Sequence, residues 1–230
     1  MSEKLYTAVG KYLLKNQGPD KRYPVVMVGE REYILGMDEM LLWSQLNWRI
    51  LSEKEAEKLY HQKENEFGLR EHLSFENCLS RLVMRGLVEE GIGECQFDSL
   101  YNLLANLCVI PISENILLKT LSFVKLTFFS HVPYAFTKKV FRKDRRTDNE
   151  KKVIRLSRQA LLSSAEIIKC VSIGKYDFAN EDEIVDTLYR DKYTTADNIA
   201  FSCRNLSVTK DTVKAISDLY LRKQIIFERT

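Results

Sequence analysis

The 230-residue chain carries 35 Lys and Arg against 32 Asp and Glu, a formal charge of +3, and 45% of its residues are hydrophobic. That length holds one large or two small domains, the composition excludes a chain disordered throughout, and the near-balance of charge excludes a uniformly basic coat for nucleic acid. Cys78, Cys95, Cys108, Cys170 and Cys203 are odd in number and contain no Cys-x-x-Cys pair, the usage expected of small core residues in a reducing compartment. Met1 to Gln17 carries lysines and no continuous apolar stretch, so no export signal is read there and the cytoplasm is the expected location. The most apolar region, Ile116 to Phe129, is interrupted by Lys119 and Lys125. It falls short of the roughly 20 residues needed to cross a bilayer, and no membrane span is expected.

In chain order, the opening stretch is expected to be helical. Tyr23 to Leu35 sets a Gly29-Glu30 turn between two β-prone runs and predicts a small hairpin. Asp38 is positioned to cap a helix whose Leu42, Leu46 and Ile50 recur at four-residue spacing, and Ser52 with Glu55 forms the capping box of the next. Phe75, Leu79 and Leu82 mark a third helix, which Gly86 ends. Leu87 to Phe97 reads as two short strands about a Gly91-Ile92-Gly93 turn, in the manner of a wing. Leu100, Leu103, Leu104 and Leu107 then fit a buried helix within a connector that reaches about Phe129.

Between Lys138 and Arg158 ten Lys or Arg face three Asp or Glu, a local charge of +7 that leaves the rest of the chain at about −4. Such a block suits contact with an anion and a domain junction, placed near residue 148. Beyond it, Ile154, Leu161, Leu162, Ala165 and Ile168 predict one long helix, and Asn180 with Glu183 caps another that runs to Tyr189. Ile199, Cys203 and Leu206 lie at helical spacing ahead of a helix over Val208 to Tyr220, and Ile225-Ile226-Phe227 forms a final strand.

Val208-Thr209-Lys210-Asp211-Thr212-Val213 resembles the entry to the recognition helix of winged helix-turn-helix proteins. Val208, Thr209, Val213, Ile216 and Tyr220 suit that family's cap and buried positions, and Cys203 and Leu206 suit the preceding helix. Ser207 and Gln224 stand where the family usually has glycine. Phe75, Leu79, Leu82, Gly86, Leu87 and Val88 resemble the same pattern from its other end, although the span from Ser52 to Ser74 is long for a compact helix-turn segment. The resemblance implies a mainly α fold with short β-hairpin wings: two winged-helix domains, residues 1–110 and 149–230, joined by a helical and basic connector at 111–148.

The same resemblance implies a sequence-specific transcriptional regulator that binds double-stranded DNA, since a recognition helix fits the roughly 12 Å wide major groove. Lys210, Thr212 and Lys214 would then open the second recognition helix, with Arg222 and Lys223 near its end. Asn77, Arg81 and Arg85 would serve the first, beside His72, Ser74 and Ser80. Lys138, Lys139, Arg142, Lys143, Arg145 and Arg146 would meet phosphates, and six such contacts would lower affinity by about three decades between 50 and 200 mM salt. One short helix gives little specificity alone, which favours a homodimer, while tandem domains in a monomer would partly substitute, so the oligomeric state stays open. Glu89, Glu90 and Glu94 make the first wing acidic, so it is not expected to grip DNA. The first domain either uses only its helix or serves mainly dimerisation or partner binding, with DNA held by the second domain and the basic run. Two alternatives stay open: a plasmid-type replication initiator with tandem winged helices, and a winged-helix protein-interaction scaffold that does not bind DNA.

Trp43 and Trp48 are expected in the core, and Asp182 and Glu183 at a helix start serve capping and the helix dipole. His61, His72 and His131 are too scattered for a metal site. No Gly-rich phosphate loop, nucleophile elbow, His-Glu-x-x-His or framed pair of carboxylates is found, so neither an enzyme nor a cofactor is expected.

Overall fold

A computed structural model describes residues 2–16, 22–67, 73–112, 146–191 and 193–229. Strand β1 (Glu3–Ala8) replaces the expected opening helix. Leu5, Tyr6, Thr7, Ala8 and Val9 are all buried, because β1 is the central strand of a sheet and has no solvent face to impose alternation. Strands β2 (Lys11–Asn16), β3 (Arg22–Val28) and β4 (Arg31–Ile34) form a second, meandering sheet, and the expected hairpin about Gly29-Glu30 is its β3–β4 turn.

Helix α1 (Met37–Leu46) is capped by Gly36 and Glu39 rather than by Asp38, whose carboxylate instead accepts the Leu73 N–H at 3.2 Å. It ends before Ile50. A short strand β5 (Leu51–Ser52) leads into α2 (Glu53–Phe67), where the expected capping box is present, Glu55 accepting the Ser52 N–H at 2.9 Å. Helix α3 (Phe75–Met84) stops at Gly86, left-handed at φ +70, as its sequence implied.

The expected wing does not form. Residues Val88–Gly93 are one straight strand, β6, and its antiparallel partner is β1, giving the order β5–β1–β6. Gly91 and Gly93 mark a close approach, not a turn: a Cβ on Gly91 would stand 2.2 Å from the Ser99 carbonyl oxygen, and one on Gly93 2.4 Å from the Ser99 nitrogen. Helix α4 (Gln96–Leu104) packs directly on that glycine surface.

The second half repeats this plan. Strand β7 (Cys108–Pro111) is followed by α5 (Asp148–Ser157), α6 (Ser164–Ile173), α7 (Glu181–Leu188), α8 (Ala196–Cys203), α9 (Thr209–Leu221) and β8 (Ile225–Glu228). The single long helix expected over Ile154 to Ile168 is broken into α5 and α6, because Ser163 and Glu166 form a capping box that starts a new helix. In the first unit Leu5 lies opposite Ser52 on one side and Gly91 on the other. In the second Cys108 lies opposite Ser163 and Glu228 in the same way. Glu39 caps α1 as Glu150 caps α5, accepting the Gly36 and Thr147 N–H groups at 3.1 and 2.9 Å. The stops match as well: Leu87 N donates to Leu82 O and Gln224 N to Leu219 O, both at 2.9 Å, across left-handed Gly86 and Lys223.

Each unit thus pairs a strand from ahead of its helices with a later one, β1 with β6 and β7 with β8, and the segment before the second helix adds strand β5 in the first unit and a single bridge at Ser163 in the second. Helices α7 and α8 are additions of the second unit. Since β7 pairs with β8, residues 108–111 belong with the second half, ahead of the boundary expected near residue 148. The described structure is about 51% helical and 21% strand, a mixed arrangement of helices and small sheets rather than a plainly all-α one. No helix among the described residues is long and apolar enough to cross a membrane.

One core cluster runs from Leu5 and Val9 through α4 into the second unit as far as Phe227, while Trp43, buried as expected, anchors the first unit's own core. Trp48 is only partly buried. Cys78, Cys108, Cys170 and Cys203 are core residues, whereas Cys95 is exposed.

Candidate interaction surface

Helix α9 is buried along two stripes. Thr212, Ala215, Ile216 and Leu219 face the second unit's own core, and Thr209, Val213, Ser217 and Tyr220 form an adjacent stripe that is also covered. The Thr209 hydroxyl donates to the Cys203 carbonyl of α8. At the other end the Tyr220 hydroxyl accepts the Trp48 N–H at 2.9 Å, shares a hydrogen bond with Thr7 Oγ1 at 2.9 Å and donates to the Ala8 carbonyl at 3.3 Å. Burial pushes the Tyr220 phenol up to about 12. The stripe that a free recognition helix would present is therefore covered, by α8 at Thr209 and by the first unit at Tyr220.

What α9 leaves to solvent is Lys210, Asp211, Lys214, Leu221 and, in part, Asp218. Two lysines alternate with two aspartates, so the ridge carries no net charge. Thr212, expected to meet DNA, is 1% exposed and donates its hydroxyl to the Val208 carbonyl at 2.8 Å. Arg222 is engaged by the buried carboxylate of Glu150, and Arg146 donates to Gln224 Oε1. Lys223 is exposed, with its ammonium 5.2 Å from the centroid of the Trp48 ring. Burial disfavours the charge on Glu150, but the Arg222 guanidinium and the Thr147 N–H outweigh it and hold this carboxyl below the usual glutamate range. Lys138, Lys139, Arg142, Lys143 and Arg145 lie outside the described residues, as do His72 and His131.

In the first unit, Arg85 donates to Glu39 at 2.7 Å and to the Ile34 carbonyl at 2.9 Å, and Arg81 Nε lies 3.0 Å from the same carboxylate. Both arginines offered as base readers are thus held by one buried glutamate. Asn77 is exposed.

The open surface here is a groove of about 420 Å³ between α3, β1 and β6. Its floor is Tyr6, Leu79 and Val83, and Met84, which also lines it, is 79% exposed. Glu53, Glu76 and Glu90 rim it. Lys4, the one cation on its edge among the described residues, lies 3.5 Å from Glu90, which also accepts the Tyr6 hydroxyl at 2.8 Å. Of these residues the sequence had singled out Leu79, as a buried position of the third helix, and Glu90, as part of an acidic wing. The available signal for the rest was Met84, an apolar residue next to the arginine that ends α3.

A larger cleft of about 680 Å³ lies where the units meet, lined by Tyr12, Met40, Trp43, Trp48, Pro111 and Ile112 among others. Among the described residues no group of three His, Cys, Asp or Glu is placed to hold a metal ion. Comparison with protein-family models, curated proteins and solved structures gives no match for this chain.

Proposed function

We propose that the chain is a protein-interaction scaffold of two winged-helix units. The winged-helix reading is supported in the first unit by the order α1, β5, α2, α3, β6, and in the second by the matching bridge of Cys108 to Ser163 and the matching helix stop ahead of β8. The partner of β6 is β1 and that of β8 is β7, each from the N-terminal side, in place of a strand following a hairpin wing.

The observation that carries the scaffold reading is the state of the two third helices. The exposed ridge of α9 balances Lys210 and Lys214 with Asp211 and Asp218, its neighbouring stripe is buried and meets the first unit through Tyr220, and the α3 groove is acidic. A polyanion gains little from such faces. The test is selection of bound duplexes from a random DNA pool with the full chain, alongside the Lys210→Glu, Lys214→Glu double variant. The scaffold reading expects no enriched sequence and no difference between the proteins. An enriched palindrome whose binding is lost in the double variant, with a steep dependence on salt, would replace it with the DNA-binding regulator.

A further inference from the structure

We infer that the α3 groove docks a protein partner through a cationic, amphipathic segment; this deepens the scaffold reading and rests on it. The helix stops set the correspondence between the units: Gly86 matches Lys223, so Glu76, Ser80 and Val83 on α3 match Val213, Ser217 and Tyr220 on α9. On α9 these three are the covered stripe, Val213 and Tyr220 being 1% exposed each. On α3, Glu76 and Ser80 are exposed and Val83 is partly buried.

The surface that in the second unit receives protein is therefore open in the first. It has also changed its chemistry. Val213 has become Glu76, and Phe227 on β8, matched through the sheet register, has become Glu90 on β6. The floor stays apolar at Leu79 and Val83, with Met84 exposed beside it, while the rim is acidic. Glu53 and Glu76 make no ion pair with any described residue, and Lys4 offsets only Glu90.

Such a groove accepts apolar side chains against its floor and Lys or Arg against Glu53 and Glu76. Duplex or single-stranded nucleic acid is repelled by it, and a second copy of this chain meets it only if a basic, apolar patch of its own is free. Charge complementarity selects the partner segment, and burial of Met84 supplies area.

The experiment is selection of phage-displayed random dodecapeptides on the full chain, followed by affinity measurement by fluorescence anisotropy on Glu76→Lys and Met84→Glu variants. Both substitutions sit at exposed positions, and unchanged urea midpoints verify that the variants fold. The expected result is enrichment of peptides that combine Lys or Arg with Leu, Ile or Phe, binding at least tenfold more weakly to each variant and weakening as salt is raised. Ser80→Arg, on the same face, is expected to act in the same direction. Enriched peptides that are acidic, or that bind all variants equally, would overturn the groove while leaving the scaffold reading in place. Failure to enrich any peptide, or self-association that these substitutions abolish, would overturn it as well. An enriched DNA duplex in the selection described above would remove the scaffold reading itself.

Discussion

At the scale of single residues, the most consequential pairs are Glu39 with Arg85 and Glu150 with Arg222. Both glutamates are 2% exposed, both complete a helix cap, and both are met by the arginine that ends the last helix of their unit. Removing one partner leaves a buried charge uncompensated. Arg222→Ala is expected to cost about 2–4 kcal/mol by urea denaturation, the lower part of that range reflecting the partial exposure of the arginine. Glu150→Gln, Arg222→Ala together should cost less than the sum of the single changes. The acid limb follows from the lowered pKa of Glu150. Its contribution is complete above the ordinary value of 4.5 and is lost as the pH falls through the lower folded value. The Glu150→Gln protein should therefore lose less stability than the wild type on acidification below about pH 4, measured as the shift in urea midpoint. Glu228 has the opposite sign. Burial raises its pKa despite the Gly29 N–H at 2.6 Å and the nearby Lys11, so it becomes less unfavourable as the pH falls from neutrality.

At the scale of elements, the matched helix stops offer an internal control. Gly86 and Lys223 both hold a left-handed backbone, but only glycine does so without strain. Gly86→Ala is expected to destabilise by about 1 kcal/mol or somewhat more, since its Cβ would also crowd Arg229 at 3.0 Å. Lys223→Gly is expected to be neutral or stabilising by up to about 1 kcal/mol, even with loss of the ammonium over Trp48. Thermal denaturation of the two variants reads the difference in sign. Elements built on local chemistry were legible in the sequence. The Ser52–Glu55 box, the Gly29-Glu30 hairpin, the Gly86 stop and the Asn180 cap each depend on residues a few positions apart. Strand β1 was not legible, because a central strand buried on both faces shows no alternation, and β7, of four residues, is too short to show a period. Gly91 and Gly93 misled because a glycine can serve a turn or a close approach, and only the position of α4 decides which. The break between α5 and α6 was encoded. Leu161-Leu162-Ser163-x-x-Glu166-x-x-Lys169 repeats Ile50-Leu51-Ser52-x-x-Glu55-x-x-Lys58, yet the apolar spacing of Ile154 to Ile168 runs across it undisturbed. The acidic groove was out of reach for a different reason: whether a helix stripe is open depends on which distant segment covers it.

At the scale of the whole molecule, the two units share a continuous core from Leu5 to Phe227 and are joined polar group to polar group at Tyr220, Thr7 and Trp48. Further links are Arg229 Nε to Glu89 at 2.8 Å and Gly10 N to the Phe227 carbonyl at 2.8 Å. Unfolding should accordingly be a single transition in which both units report together. Tyr220→Phe tests the joint. The Trp48 N–H loses its acceptor in a largely dry site, at a cost of about 1–3 kcal/mol. Urea transitions followed by tryptophan fluorescence, which reports the first unit, and by circular dichroism should remain superimposable in the wild type and move to lower urea together in the variant. Separation of the two curves in the wild type would show that the units unfold independently.

The strand order has a further consequence for how the chain comes into being. Leu5 waits for Gly91 and Cys108 waits for Glu228. A ribosome delivers each unit's first strand long before the strand that closes its sheet, so an apolar ribbon with unsatisfied edges must be tolerated or sheltered through the synthesis of every intervening helix. Slow maturation and a need for chaperone company are the natural outcome of so many distant pairings.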